Sequence, residues 1–306
     1  MEIAKLLEEK NLIELRLENM IFGAIEVRET GGKKFIYVHY REGEKQRSQY
    51  VGEYSEELYN LIQNNNNQSK AYKKRLREIK KDLSKSGYID MEVSDDIVLN
   101  IDYIRKHLSE IIYSQALLEG IDTSFTNVEL LVNGEKINRL SALDTQKLIN
   151  LKRAWEFILF KDVAVFPDNL DLMSQINAVV ENGIDYLAGS IRTVPVSISG
   201  TSFIPPTLSE KEIVESLNKL NNNDNILDKA IDALLFVQKN QLFLNGNKRT
   251  AFIFANHMLL KEGHGFLMIP ADLVSEYKKH LINYYEFGEE EYIKSFIKEQ
   301  CLRNYR

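Results

Sequence analysis

The residues whose types and order could do chemistry lie in one segment, Gln241-Leu242-Phe243-Leu244-Asn245-Gly246-Asn247-Lys248-Arg249-Thr250-Ala251. It places a glycine turn, two amides and two cations at the start of a strongly apolar helix. Cations at a helix N-terminus oppose the helix dipole by about 0.3–1 kcal/mol each, so Lys248 and Arg249 suggest a bound anion beside free backbone N–H groups. The pattern is typical of a phosphate site. An Asn-Gly turn with Asn247 as N-cap and both cations solvated explains the same residues without a ligand.

This segment resembles the signature loop of the Fic/Doc (Fido) family, His-Pro-Phe-x-Asp/Asn-Gly-Asn-Gly/Lys-Arg. Lys248 corresponds to the Doc-like version, in which lysine replaces the second glycine. The family's histidine falls on Gln241, and the second arginine of adenylylating members falls on Phe252. The matching positions are Phe243, Asn245, Gly246, Asn247 and Arg249.

The resemblance implies ATP and Mg²⁺ as cofactors and transfer of AMP to a hydroxyl group of a target protein, whereas Doc-like members phosphorylate. Asn245 occupies the acidic position that binds the metal, and an amide is a weaker ligand for it than a carboxylate. The implied catalytic positions are Gln241, Phe243 and Arg249, and the implied nucleotide-binding residues are Gly246, Asn247, Lys248 and Arg249.

Gln241 removes the general base of this reaction. A glutamine amide accepts no proton at any relevant pH, and loss of a general base costs on the order of 10²–10⁴ in rate. None of the five histidines lies in the loop, and mid-helix His257 is interpreted as a packing residue. We therefore expect weak or lost transferase activity. The alternative is a catalytically silent nucleotide- or partner-binding regulatory protein.

Glu119 lies in a segment, Tyr113 to Gly120, that resembles the inhibitory helix of self-restrained Fic proteins, Ser/Thr-x-x-x-Glu-Gly. In that family the glutamate pairs with the second signature arginine, whose position here is Phe252. Gln115 stands at the serine position of the motif. A plain helix end capped by Gly120, with Glu119 solvated, explains the residues equally well.

A β-hairpin is predicted over 193–206, because apolar residues alternate before a Ser199-Gly200 turn. The resemblance makes this hairpin a flap that holds the target protein by strand addition, through Val196, Ser197 and Ile198. Without the resemblance, the segment is an extended connection between helices.

The elements around these residues predict a mainly α protein, and the resemblance makes it a Fic-type helical bundle over residues 89–306. Residues 1–88 form a predicted α+β accessory module with a leader helix and a three-stranded antiparallel meander. A helix from Ser55 is expected to end at the polar run 64–67, before a second, basic helix over 69–86. The basic helix indicates either a solvated face, a protein partner or a nucleic-acid partner.

The composition excludes several classes of protein. The chain has 306 residues and a net charge of −6, which argues against a protein coated with nucleic acid over its whole surface. The single cysteine, Cys301, excludes an internal disulfide and suits a reducing compartment. No segment has the length and apolarity of a membrane span, so we expect a cytoplasmic protein without a membrane partner.

Overall fold

The computed structural model describes residues 2–42, 45–85, 93–135, 137 and 140–305. These divide into two compact units, Glu2–Ile89 and Asp90–Arg306. The expected boundary between residues 88 and 89 lies outside the described residues. None of the described helices is long and apolar enough to cross a membrane.

The first unit is a three-stranded antiparallel sheet with two helices. It contains α1 (Glu2–Glu18), β1 (Ala24–Thr30), β2 (Lys33–Glu42), β3 (Lys45–Glu53) and α2 (Glu56–Lys85), with strand order β1-β2-β3. Ile36 and Val38 of β2 pack on Ile62 of α2 and form a small core. The predicted meander is confirmed.

The two helices expected on either side of the polar run 64–67 are one continuous helix, α2, so that prediction is wrong. Asparagine disfavours helix interiors when its amide competes for nearby backbone groups. Here Asn65 donates to Ile21 O at 3.0 Å, while Asn66 accepts from Gly23 N–H at 2.8 Å and donates to Gly23 O at 2.9 Å. The amides are satisfied by the chain before β1, and the helix continues through them.

The second unit is helical, as predicted. It contains α3 (Asp95–Lys106), α4 (Leu108–Leu118), α5 (Phe125–Val132), α6 (Ala142–Ile158), α7 (Lys161–Ala164), α8 (Leu170–Val180), α9 (Glu210–Asn221), α10 (Ile226–Asn240), α11 (Asn247–Lys261), α12 (Val274–Phe287) and α13 (Glu290–Phe296). A 3-10 turn (Ala271–Leu273), a π-helical turn (Ile297–Cys301) and two short strands, β4 (Phe266–Leu267) and β5 (Leu302–Arg303), complete it. Helix α11 is apolar around most of its circumference and is buried along nearly its whole length, as expected of a central helix.

The predicted hairpin over 193–206 is corrected by the structure. The Ser199-Gly200 turn is present, but no strand is formed anywhere in the described residues 191–208. Pro195, Pro205 and Pro206 remove ladder donors from the segment. Its carbonyl groups bond instead to the buried guanidinium of Arg192.

Arg192 joins this segment to the end of α10. Its guanidinium donates to Val194 O at 2.7 Å, Pro206 O at 2.6 Å and Asn240 O at 3.0 Å, and it also bonds Gln241 O. Burial lowers the pKa of Arg192 from its ordinary value. The extended segment is thus held as a strap beside the loop between α10 and α11.

Candidate functional site

The loop between α10 and α11 is closed by the side chain of Asn247. Its Oδ1 accepts from Phe243 N–H at 2.9 Å and its Nδ2 donates to Phe243 O at 2.8 Å. Asn247 is therefore the first residue of α11 and is not its N-cap; Gly246 occupies the N-cap position. Phe243 is 1% exposed and anchors the loop in the core.

The N-terminus of α11 keeps its backbone donors available. Among the described residues no side chain caps this helix, and its first backbone bond runs from Thr250 N–H to Gly246 O at 2.9 Å. The N–H groups of the residues between them start the helix without an intrahelical partner. Such a terminus offers donors and a positive dipole to an anion.

Gly246 is required here for two reasons. Its φ of 74° lies in the left-handed region, which side chains rarely adopt. A Cβ at this position would also lie 2.5 Å from Oε1 of Glu181. The loop thus runs directly against a buried carboxylate.

Two carboxylates cover the cations of the loop. Arg249 Nη2 lies 2.8 Å from Glu181 Oε1, and Arg249 Nε lies 3.3 Å from Glu119 Oε2. Lys248 Nζ lies 3.4 Å from Glu119 Oε1. The side chains of Arg249 and Glu181 are 6% and 1% exposed, and that of Glu119 is 13% exposed. The solvated state considered for Glu119 and for the two cations is therefore not the one observed.

Glu181 has a strongly perturbed environment. Burial raises its pKa above the ordinary value, the nearby carboxylates of Glu119 and Asp185 add to this, and Arg249 opposes it. The short approach to Arg249 does not have hydrogen-bond geometry, so both carboxylate oxygens of Glu181 lack a hydrogen-bond partner among the described residues. The positive charge of Arg249 is the largest influence that opposes this rise in the pKa of Glu181.

The loop opens into a cleft of about 530 Å³. Lys278 of α12 lines it, and burial together with Lys248 lowers the pKa of Lys278. From the strap, Ser197 and Ile198 reach the cleft, whereas Val196 is half-buried outside the lining. The other lining residues include Leu118, Glu119, Gln241, Asn245, Gly246, Asn247, Lys248 and Tyr285.

Gln241 is a fixed part of the cleft wall. It ends α10 with φ 45° and ψ 63°, an unusual left-handed conformation for a side-chain-bearing residue. Its Nε2 donates to Gln238 O at 2.7 Å, and its Oε1 accepts from Asn247 Nδ2 at 3.1 Å. Both ends of the amide are used to hold the loop.

Asn245 is exposed and stands beside a carboxylate. Its Nδ2 donates to Asp185 Oδ2 at 2.8 Å. Among the described residues there is no group of three acidic, histidine or cysteine side chains that could hold a metal ion by itself. Carboxylate and amide oxygens are nevertheless the donors that Mg²⁺ uses when substrate phosphates complete its shell.

Three polar residues that organise the site were not identified from the sequence. Asn177, Glu181 and Asp185 lie four residues apart, from α8 into the turn after it, which places them near one another. Asn177 Nδ2 donates to Asn245 O at 3.0 Å and to Thr250 Oγ1 at 3.1 Å. The i, i+4, i+8 spacing of these polar residues was the available signal.

His257 lies away from the cleft lining. It is fully buried; its Nδ1 is 2.7 Å from Asp168 Oδ1 and its Nε2 is 2.7 Å from Val163 O. Both ring nitrogens are thus engaged by oxygen atoms of the protein. Phe252, the position of the second signature arginine, is buried in the core against Tyr277.

Comparisons with known proteins agree with this architecture. Residues 167–259 match the model of the Fic/DOC family, and residues 3–60 match a model described as a domain of unknown function (DUF6788). A search of curated proteins gives no match.

Three similar solved structures carry Fic domains. Fic-1 of C. elegans is 21% identical, with 79% of this chain and 72% of that chain covered, at a TM-score of 0.52. A Fic domain containing signaling protein of Bacteroides thetaiotaomicron is 18% identical, with 67% of this chain and 88% of that chain covered, at a TM-score of 0.52. A Fic family protein of Desulfovibrio desulfuricans is 14% identical, with 69% of this chain and 74% of that chain covered, at a TM-score of 0.54. At these identities the likeness establishes a Fic-type fold, and the family match supports a Fic domain in this chain.

The raised pKa of Glu181 predicts a pH-dependent stability. Above an ordinary glutamate pKa the unfolded state loses the proton while the folded state keeps it, so the free energy of unfolding falls as pH rises toward the folded pKa. Urea denaturation between pH 4 and 8 should show this fall in the native protein and a flatter curve in Glu181→Gln.

Glu286 supplies a control, because its pKa is shifted in the opposite direction to that of Glu181. Hydrogen bonds from Ser202 N–H and Thr201 Oγ1 lower its pKa, so its contribution is lost as pH falls. Glu286→Gln should therefore flatten the acid side of the curve. Equal slopes for the native protein and Glu181→Gln would contradict the assignment of Glu181.

Proposed function

We propose that residues 90–306 bind ATP with a divalent cation and transfer AMP to a hydroxyl group of a target protein, at a rate limited by the lack of a base. The observation that carries this is the N-terminus of α11. It brings free N–H groups and Lys248 to the wall of one cleft, and the next residue, Arg249, is buried against Glu181 and Glu119. Fic proteins generally transfer nucleoside monophosphates to proteins, which supports this reaction over phosphate transfer.

In this proposal Glu119 restrains the site. Its carboxylate pairs with the two cations that phosphate oxygens would otherwise contact, so a nucleotide must displace the carboxylate. Glu119 Oε1 and Arg249 Nε have no hydrogen-bond partner among the described residues, so these contacts are ion pairs, whereas phosphate oxygens would form charge-assisted hydrogen bonds worth about 1.5–3 kcal/mol each. Sequence comparison assigns the glutamate's partner to position 252, whereas here the pairing is with Arg249 and Lys248. Removal of Glu119 is thus expected to matter, contrary to what the missing second arginine suggested.

The strap is the proposed place for the target. Ser197 and Ile198 line the cleft, and the backbone of this segment forms no ladder of its own. An extended segment of a target protein could add to it through backbone bonds. Arg192 holds both ends of the strap, at Val194 and Pro206, and Glu286 holds it next to the turn by accepting from Thr201 Oγ1 at 2.9 Å and Ser202 N–H at 3.0 Å.

A second candidate is a silent nucleotide-binding regulator, favoured by the bonding of Gln241. The amide of Gln241 is tied to Gln238 and Asn247 and has no proton-accepting role. Binding and transfer are therefore tested separately.

Restoring the base tests the transferase. Histidine is several-fold enriched among residues with positive φ, so position 241 accommodates it, and its ring nitrogen can replace the amide that Asn247 contacts. We predict that Gln241→His, combined with Asn245→Asp where Mg²⁺ binding requires it, raises protein labelling from α-labelled ATP at least about tenfold, the low end of a general-base contribution.

Gln241→Ala is the control, and γ-labelled ATP is used in parallel. Label from the α position supports AMP transfer, and label from the γ position supports the Doc-like kinase reaction. Robust labelling by the native protein that Gln241→Ala leaves unchanged would contradict the role given to this position.

Asp185 is proposed to supply the carboxylate that Asn245 lacks. The two side chains are hydrogen-bonded at 2.8 Å, so a carboxylate is present beside the family's metal-ligand position. Mg²⁺ is commonly held by one or two protein carboxylates together with substrate phosphates. The donor set of Asp185 and Asn245 fits that pattern.

We predict that Asp185→Asn weakens ATP binding about 10- to 100-fold in the presence of Mg²⁺, as expected for loss of one charge-assisted contact. In EDTA the affinity should not change. Calorimetry measures both, and paramagnetic relaxation by Mn²⁺ reports the cation directly. Asn245→Asp should restore binding to Asp185→Asn, and Asp224→Asn, an exposed carboxylate on the turn before α10, is the control. An equal loss with and without metal would contradict the assignment.

A further inference from the structure

Helix α2 carries a row of four cations that no described residue of its unit neutralises. Lys70, Lys74, Arg77 and Lys81 follow the spacing i, i+4, i+7, i+11, which places them on one face of the helix. All four side chains are exposed. At 1.5 Å per residue the row extends over about 16 Å. We call these four residues the basic row.

Three other cations of the same helix are paired with carboxylates, whereas Lys73 Nζ lies 4.5 Å from the centroid of the Phe22 ring. Arg75 lies 2.7 Å from Glu9 and 3.5 Å from Glu78, and Lys80 lies 3.9 Å from Glu14. Lys85 lies 3.0 Å from Asp82. Helix α1 and the two acidic residues of the C-terminal half of α2 thus neutralise Arg75, Lys80 and Lys85.

No member of the basic row pairs with a carboxylate in the part of the chain that the structure describes. Residues 1–85 contain 17 Lys and Arg against 14 Asp and Glu, whereas the whole chain contains 39 against 45. Positive charge is therefore concentrated in this unit of an acidic protein. Along the basic row, no described carboxylate pairs with it.

We propose that the basic row binds the phosphate backbone of double-stranded nucleic acid. A continuous helix of 30 residues that presents one cation per turn suits a linear polyanion carrying one charge per about 1.7 Å of its axis. The row has no exposed aromatic ring of the kind that single strands use for stacking. It also lacks the interleaved apolar residues of a helix that lies on a membrane surface. Such contacts position a protein on a duplex without reading its sequence.

The test uses the full chain and a fluorescent 20-base-pair duplex, followed by anisotropy between 50 and 200 mM KCl. Four phosphate contacts predict a slope of log affinity against log salt near −3.6, which corresponds to a loss of about 100-fold over this range. Lys74→Ala/Arg77→Ala should reduce the slope by about two units, because each cation lost removes one phosphate contact.

Lys80→Ala/Lys85→Ala is the matched control, since it removes the same charge from the same helix on its paired faces. It should leave the slope unchanged within about half a unit. Alanine keeps the helix stable, and circular dichroism of each variant checks this. If the first variant unfolds, Lys70→Gln/Lys81→Gln replaces it and should give the same reduction.

Three results would overturn the proposal: no duplex binding at 50 mM KCl, equal losses in the two double variants, or single-strand binding that is tighter than duplex binding and insensitive to the basic row. The last result would place the site on the aromatic face of the sheet, where Tyr37 and Tyr50 have ring centroids 5.5 Å apart. None of these measurements depends on the nucleotide site of residues 90–306.

Discussion

The ion pair between Arg249 and Glu181 is the interaction on which the site depends. Both side chains are nearly inaccessible, and a buried charge left without its partner costs about 3–5 kcal/mol. Each residue therefore requires the other, and any substitution of Arg249 alters the fold and the binding site together. Glu119 contacts the same guanidinium from the more exposed side. It is the member of this group that can be changed without leaving a buried charge unpaired.

This constraint explains several local features. Gly246 has no side chain because its Cα lies against Glu181, and Asn247 folds back on Phe243, so the loop leaves the first N–H groups of α11 uncovered. Asn177 holds the loop from α8 through Asn245 O. The ends of three helices thus meet at one guanidinium: the C-terminus of α4, the turn after α8 and the N-terminus of α11. A site with phosphate-binding donors results, and two carboxylates cover it.

Much of this arrangement follows from local sequence signals. The glycine turn, the apolar α11 and the strand alternation of the first unit each depend on neighbours within about four residues, and the structure contains them all. The predictions that failed are those that depend on tertiary contacts. The amides of Asn65 and Asn66 find acceptors and donors more than forty residues away, and the strap forms no hairpin because Arg192 binds its carbonyl groups. The sequence also does not reveal that Glu119 pairs with Arg249 instead of remaining solvated, since that contact spans 130 residues.

The central claim is that the anion site at α11 is intact and that Glu119 occupies it. Isothermal titration of Mg²⁺ and ATP into the native protein and into Glu119→Gln tests this most directly, because glutamine keeps the size of the side chain and removes its charge. Glu110→Gln, an exposed change on the same helix, is the control. We predict that Glu119→Gln binds ATP about 10- to 100-fold more tightly than the native protein, the equivalent of one charge-assisted contact released. Equal or weaker binding by Glu119→Gln would contradict the claim and would mean that Glu119 supports the loop without competing for it.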